Sequence, residues 1–286
     1  MMDYMNSNYG TAYVVEEALE AIDEFITSIK KKTPWGYSIA YSLSAKNKAH
    51  RTYAEYMLQK GKITIADINT IMRKIESSKK SCFDEKYAEQ LYYDYMNVVV
   101  DDTLTLSKLK EEYENKKIGF IAPGKSIQDS KKIKTLIMNT EIDYIFSLNF
   151  LDESILTNGV IYTNQKRYGN DNLKIGTCKL IVTSNIRGNL NKNSNKLAYS
   201  TLTKHFGQFS DSSLLMVLNL AYLLKCKEVY LIGFDGFGQM ENFYSEGYDR
   251  EQNYKLDNRD IEHILPKYAS RMKICFLTSS KYEEYI

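Results

Sequence analysis

Apolar positions in this chain follow two rhythms, and the change comes at residue 117. Before it they recur at three and four. Val14, Val15, Ala18, Leu19, Ile22, Phe25, Ile26 and Ile29 share one side of a helix over residues 14–31, and Glu16, Glu17, Glu20 and Glu24 cover the other. Thr33-Pro34-Trp35-Gly36 ends it. A short helix carrying Ile39, Ala40, Leu43 and Ala45 follows, then one over 49–59 and a turn at Lys60-Gly61-Lys62. Thr64 caps a further helix that runs through Ile71, Met72 and Ile75, and a fifth covers 84–97 with Tyr87, Leu91 and Tyr95 turned inward. Leu104 to Tyr113 reads as a linking helix. Asp101-Asp102 marks a boundary, with a helical module over 1–102 and a second domain over 103–286.

After residue 117 short apolar runs alternate with helical patterns. Strands are expected at 117–122, Asp143 to Ser147, Gly159 to Tyr162, Lys179 to Val182, Lys227 to Ile232 and Met272 to Leu277, with helices near 126–139, 211–225 and 259–270. This alternation predicts an α/β fold: a Rossmann-like parallel sheet with helices on both faces, preceded by a small all-helical module. Asn185 to Asn195 and Gly236 to Leu256 read as loops, the second long enough for a lid or binding loop.

Composition narrows the class. The chain has 286 residues, 43% hydrophobic and 26% charged, with a net charge of +2. A charge so near zero predicts no nucleic-acid partner, and no apolar run is long enough to span a bilayer. Met1-Met2-Asp3-Tyr4 is no signal peptide, and Cys82, Cys178, Cys226 and Cys275 lie too far apart for a metal motif, so reduced thiols in a cytoplasmic protein are expected. With only His50, His205 and His263 present, and none paired with a cysteine, no metal site is expected.

Candidate chemistry collects where strands should stop. Lys117 to Ala122 is a buried strand that breaks at Pro123-Gly124-Lys125-Ser126, a corner whose backbone N–H groups suit an anion. Ser147 with Asn149, Thr163-Asn164, Thr183-Ser184-Asn185, and Gly233 with Asp235-Gly236 end the others, and Ser210-Asp211-Ser212-Ser213 opens a strong helix. Any one of these reads as a turn or a cap. All five strand ends together favour a nucleotide or another phosphorylated ligand, without a tightly bound cofactor. On this reading Gly124 and Ser126 contact phosphate, Lys125 joins them, and Asp235 orders its loop.

Gly119 to Ser126 also matches the P-loop pattern G-x-x-x-x-G-K-S. A P-loop needs the intervening residues wrapped round phosphates, whereas Phe120-Ile121-Ala122 belongs inside the strand, so a P-loop nucleotidase is the lesser alternative.

The strand-end residues resemble those of bacterial sialyltransferases of glycosyltransferase family 42, and the wider Rossmann-like group that includes pterin pyrophosphokinase-like proteins. Ala122-Pro123-Gly124-Lys125-Ser126, Ser147-Leu148-Asn149-Phe150, Tyr162-Thr163-Asn164 and the stretch from Ser212-Ser213 to Lys227-Glu228-Val229-Tyr230-Leu231-Ile232-Gly233-Phe234-Asp235 carry the resemblance. It implies a cytidine-type nucleotide sugar as substrate, with Asn149 and Asn164 holding sugar or ribose and Ser212 and Ser213 the far end, and glycosyltransferase-like activity in surface-polysaccharide synthesis. Where that family carries a histidine base this sequence has Lys255, with His263 further along, and these two are the catalytic candidates. Lys32-Thr33-Pro34-Trp35-Gly36-Tyr37, Ile118 to Ser126 and Tyr230 to Phe237 also look like the C-terminal half of bacterial aldolase-like bifunctional proteins. That resemblance implies the alternative: a non-catalytic module that docks an aldolase barrel partner.

Overall fold

In a computed structural model of the chain, residues 2–26, 38–176, 178–188, 190, 194–238, 243 and 254–286 are described, with 254–257 by backbone only. The expectations for residues 27–31 of the first helix, for Lys32-Thr33-Pro34-Trp35-Gly36-Tyr37, for most of the 236–256 loop and for the Lys255 side chain lie outside the described residues.

Five strands run in sequence along one side of the sheet: β1 (Lys117–Ile121), β2 (Tyr144–Leu148), β3 (Gly159–Tyr162), β4 (Lys179–Thr183) and β5 (Ser194–Leu197). A small antiparallel pair follows, β6 (Lys204–His205) with β7 (Gln208–Phe209). The chain then returns to the other side of β1 with β8 (Glu228–Ile232) and β9 (Lys273–Phe276). The spatial order is β5-β4-β3-β2-β1-β8-β9, and all the neighbouring pairs are parallel. This is the α/β Rossmann-like architecture that the strand–helix alternation predicts.

Both faces of the sheet are covered, which is why its strands read as continuous apolar runs. Ile118, Phe120, Phe146, Leu148, Val229 and Leu231 face one side and join a large core. Ile121, Ile145 and Ile232 face the other and pack on Ile127 and Ile133. The large core is continuous with the helical residues that precede the sheet: Tyr53, Met57, Ile68, Met72 and Tyr92 belong to the same buried cluster. The linking helix, Thr103–Tyr113, joins the two parts, with the Tyr113 ring edge-on to Tyr144 and Phe146 at 4.9 and 5.5 Å.

Several elements differ from the pattern reading, three of them instructive. β5 pairs with β4 at the sheet edge, yet its Ser-Asn-Lys-Leu sequence has no apolar run; an edge strand tolerates polar side chains and so hides from hydrophobic patterning. A short helix, Gln165–Asp171, follows β3, capped by Asn164 rather than announced by periodicity. The 14–31 pattern is an α-helix only over Val15–Ala21, then a π-helical stretch over Ile22–Ile26, and Leu19, Ile22, Phe25 and Ile26 are exposed.

The connection after β1 leads to β2 on one side, while the connection after β8 leads to β9 on the other. The carboxyl ends of β1 and β8 therefore border the crevice where strand order reverses, the position that leaves room for a ligand in open α/β sheets.

Candidate functional site

A cleft enclosing about 820 Å³, its open mouth included, lies at that reversal. Ala122, Gly124, Asn149, Asn164, Ser212, Ser213, Gly233 and Asp235 line it, so the ends of β1, β2, β3 and β8 meet one helix start. Thr183, Ser184 and Asn185, at the end of β4, are not among its walls.

The β1 and β8 corners press against each other. A Cβ on Gly124 would fall 2.1 Å from the Gly233 carbonyl oxygen, and one on Gly233 (φ +74°) would fall 2.1 Å from that of Ala122. Only glycine permits this approach. Across the contact the Asp235 carboxylate accepts from the Ser126 N–H at 2.7 Å and from its hydroxyl at 2.5 Å. The next backbone donors, of Ile127 and Gln128, bond to Gly124 and Lys125 carbonyls. The helix beyond, Ser130–Met138, is capped by Asp129, which accepts from the N–H groups of Lys131 and Lys132. The anion cradle expected at Gly124 and Ser126 is thus filled by the protein's own carboxylate, and Lys125 is not in the cleft wall. Gly119 lies within β1 opposite Ile145 and Tyr230, so the G-x-x-x-x-G-K-S stretch is strand and closed turn, not a phosphate-wrapping loop.

Asn149 sits in the left-handed region (φ 58°) and is buried. Its carbonyl oxygen accepts from the N–H groups of Thr163 and Asn164 at 2.8 and 3.1 Å, and its amide nitrogen donates to the Thr163 and Ser213 hydroxyls at 3.0 and 3.1 Å. Two donors and two lone pairs are all that a side-chain amide has. Asn149 therefore locks β2, β3 and the helix start together and has no capacity left for the sugar or ribose expected of it. Asn164 caps its own helix through the Arg167 N–H at 3.2 Å and reaches the Gly61 carbonyl at 3.4 Å.

The open corner is the start of the Ser213–Leu223 helix. Ser212 occupies the cap position without a side-chain cap bond, and it is 6% exposed. Its hydroxyl makes no hydrogen bond among the described residues. Unsatisfied helical N–H groups, the unpartnered Ser212 hydroxyl and the positive end of the helix dipole thus border the cleft together.

Three charged or aromatic walls escaped the sequence reading. Arg167, 9% exposed, lines the cleft with its guanidinium 4.9 Å over the Phe243 ring. Phe243 pairs its backbone with Gly124 and packs edge-on to Phe237 at 6.2 Å. Lys62 comes from the helical module and forms an ion pair with Asp211 at 2.8 Å. Two residues carried a usable signal: Arg167 stands three after the capping Asn164, and Lys62 flanks a glycine turn. Neither could be placed in the cleft without the tertiary contact.

Asp211 is strongly perturbed beside the site. Burial pushes its carboxyl up, but the charges of Lys62 and Lys60, with hydrogen bonds from Lys62 and Tyr199, outweigh that and hold it well below the usual carboxylate range. Its second oxygen accepts from Tyr92 and Tyr199, both at 3.0 Å. His205 is buried behind this corner. Its Nε2 faces the Ser210 carbonyl at 2.9 Å and must carry the proton, so Nδ1 accepts from the Tyr268 hydroxyl at 2.8 Å. Burial lowers its pKa, and the ring is a neutral strut that fixes the 210–212 segment.

His263 is placed away from the cleft. It is exposed on the Tyr254–Ala269 helix and bonds through Nδ1 to the Arg259 carbonyl one turn back, while Ile261 and Ile264 turn inward. The helical period sends it to solvent, and it is not among the cleft walls. Lys255 lies on the first turn of the same helix.

No protein-family model matches the chain, and no curated protein matches it in sequence. Among the solved structures similar to it are two sialyltransferases. The sialyltransferase CstII from Campylobacter jejuni, in complex with the substrate analogue CMP-3FNeuAc, is 16% identical with a TM-score of 0.38, over 60% of this chain and 85% of that one. A mammalian sialyltransferase is 11% identical with a TM-score of 0.40, over 69% of this chain and 87% of that one. The resemblances to aldolase-like and pterin pyrophosphokinase-like proteins find no counterpart in these two.

Proposed function

We propose that the cleft binds a nucleotide or nucleotide sugar and that the protein is glycosyltransferase-like, acting in bacterial surface-polysaccharide synthesis. The observation that carries the reading is the uncapped helix start at Ser212-Ser213, bordering a cleft whose wall also holds the Arg167 guanidinium. Those groups suit a phosphate, and Phe234, Phe237 and Phe243 offer apolar surface for a base or sugar ring. In glycosyl transfer the bond from the sugar to the phosphate oxygen breaks, and charge grows on the departing nucleotide. Helical N–H groups and a guanidinium at that phosphate stabilise the growing charge without rearranging. Cytidine is the first base to try because of the strand-end resemblance.

Calorimetric titration of the full chain with CMP and CMP-linked sugars tests this. Binding is expected, with a loss of about tenfold in Arg167→Met at unchanged melting temperature, the cost of one charge-assisted contact. No heat and no melting shift for the wild-type chain with either ligand would remove the proposal.

A further inference from the structure

The Lys60-Gly61-Lys62 turn belongs to the helical module, yet it forms part of the cleft wall. Asn164 donates to the Gly61 carbonyl at 3.4 Å, and the Lys166 N–H reaches the Lys62 carbonyl at 3.4 Å. The Lys62 ammonium turns to Asp211, pairing with one carboxylate oxygen at 2.8 Å and with the backbone carbonyl of the same residue. Tyr92 of the module and Tyr199 hold the other carboxylate oxygen at 3.0 Å each. Lys60 adds a second ammonium nearby, 4.9 and 5.1 Å over the Tyr56 and Tyr92 rings.

Asp211 immediately precedes Ser212, the residue whose unpartnered hydroxyl marks the open corner. A bare carboxylate there would set a negative charge beside the place where the corner is to receive one, and partial burial would leave it weakly screened. Its side chain is 14% exposed, so water supplies little of the neutralisation.

We infer that Lys62 is a positioning residue for this site: it neutralises Asp211 and holds that carboxylate on the module side, so that the Ser212 corner meets an anionic ligand without a competing charge. The inference rests on the nucleotide reading of the cleft, and it makes the helical module an electrostatic part of the binding site.

The test is a charge cycle read with two probes, CMP and uncharged cytidine, on the full chain. Lys62→Met is expected to weaken CMP at least tenfold and to leave cytidine within about twofold, since only CMP meets the exposed charge. Asp211→Asn is expected to leave CMP binding at least as tight as in the wild type. The double variant Lys62→Met with Asp211→Asn is expected to regain CMP affinity to within about threefold of wild type, because removing both partners leaves no charge behind. Lys62→Arg, which keeps the charge, is expected to stay within the same about threefold range. Equal weakening of CMP and cytidine by Lys62→Met, or a double variant as weak as Lys62→Met alone, would reduce Lys62 to a structural prop and overturn the inference. So would a tenfold loss in Lys62→Arg. A wild-type chain that binds neither probe overturns the nucleotide reading and this inference with it, whereas binding of both with parallel losses overturns only the inference.

Discussion

Two corners of this molecule carry the same kind of sequence and have opposite fates. Gly124-Lys125-Ser126 and Ser210-Asp211-Ser212-Ser213 both present small polar residues ahead of a helix. In the first, Asp235 reaches across from the neighbouring strand end and takes the Ser126 N–H and hydroxyl. In the second, the nearby carboxylate of Asp211 is turned away, held by Lys62, Tyr92 and Tyr199, and Ser212 keeps its hydroxyl for the cleft. An anion site is therefore not a property of helix starts as such. It depends on whether the fold supplies a negative group of its own, and on which way that group points.

The largest break of the comparison is Gly124→Ala. The new methyl would meet the Gly233 carbonyl oxygen at 2.1 Å, so the closed corner must open. A loss on the order of 3 kcal/mol is expected by urea unfolding, at the upper end of overpacking costs. Next comes Asp235→Asn, which removes the charged acceptor from Ser126. It is expected to cost about 2 kcal/mol of stability. CMP affinity should stay within about a factor of two, because the closed corner holds no ligand. If this variant weakens CMP more than Ser212→Ala does, the open and closed corners have been exchanged.

A smaller effect follows from His205, the strut behind the open corner. Burial depresses its pKa below the ordinary 6.5, so the unfolded chain binds the proton more readily than the folded one. Its contribution is complete above that value and is lost as pH falls through it towards the folded pKa. Stability measured between pH 7.5 and 5 should decline on the acid side, and His205→Gln should flatten that decline. The smallest expected change in stability is that of Ser212→Ala, within about 0.5 kcal/mol, since no cap bond is removed. Its affinity for CMP should nevertheless fall about fivefold, the value of one hydrogen bond. An unaltered affinity would close the second corner as well.

Much of the architecture was legible without coordinates because burial on both faces leaves an unambiguous mark. The runs at Ile118 to Ile121 and Val229 to Ile232 read as central strands and lie side by side in the sheet. Ser194–Leu197 was invisible because an edge strand has no need of apolar side chains. At the site, the cluster of strand-end residues was legible as a group, and six of the eight residues expected to bind a ligand line one cleft: Gly124, Asn149, Asn164, Ser212, Ser213 and Asp235. Their separate roles were not. Asn149 and Ser212 look equally suitable as ligand partners in the sequence, but one amide is saturated by three neighbours while the other side chain makes no hydrogen bond. His263 was read by its chemistry, and the helical period carried it to the surface.

The sequence by itself determined the sheet, its covering helices and the gathering of hydroxyls, amides and glycines at the strand ends, because apolar periodicity and turn chemistry act over a few residues. Only the tertiary structure decided which of those groups face the cleft with capacity to spare. That choice depends on partners 14 residues away for Asn149 and Thr163, 109 for Ser126 and Asp235, and 149 for Lys62 and Asp211. A hydrogen-bonding group is a ligand site only when nothing closer has claimed it, and such claims are settled by distance in space rather than by order along the chain.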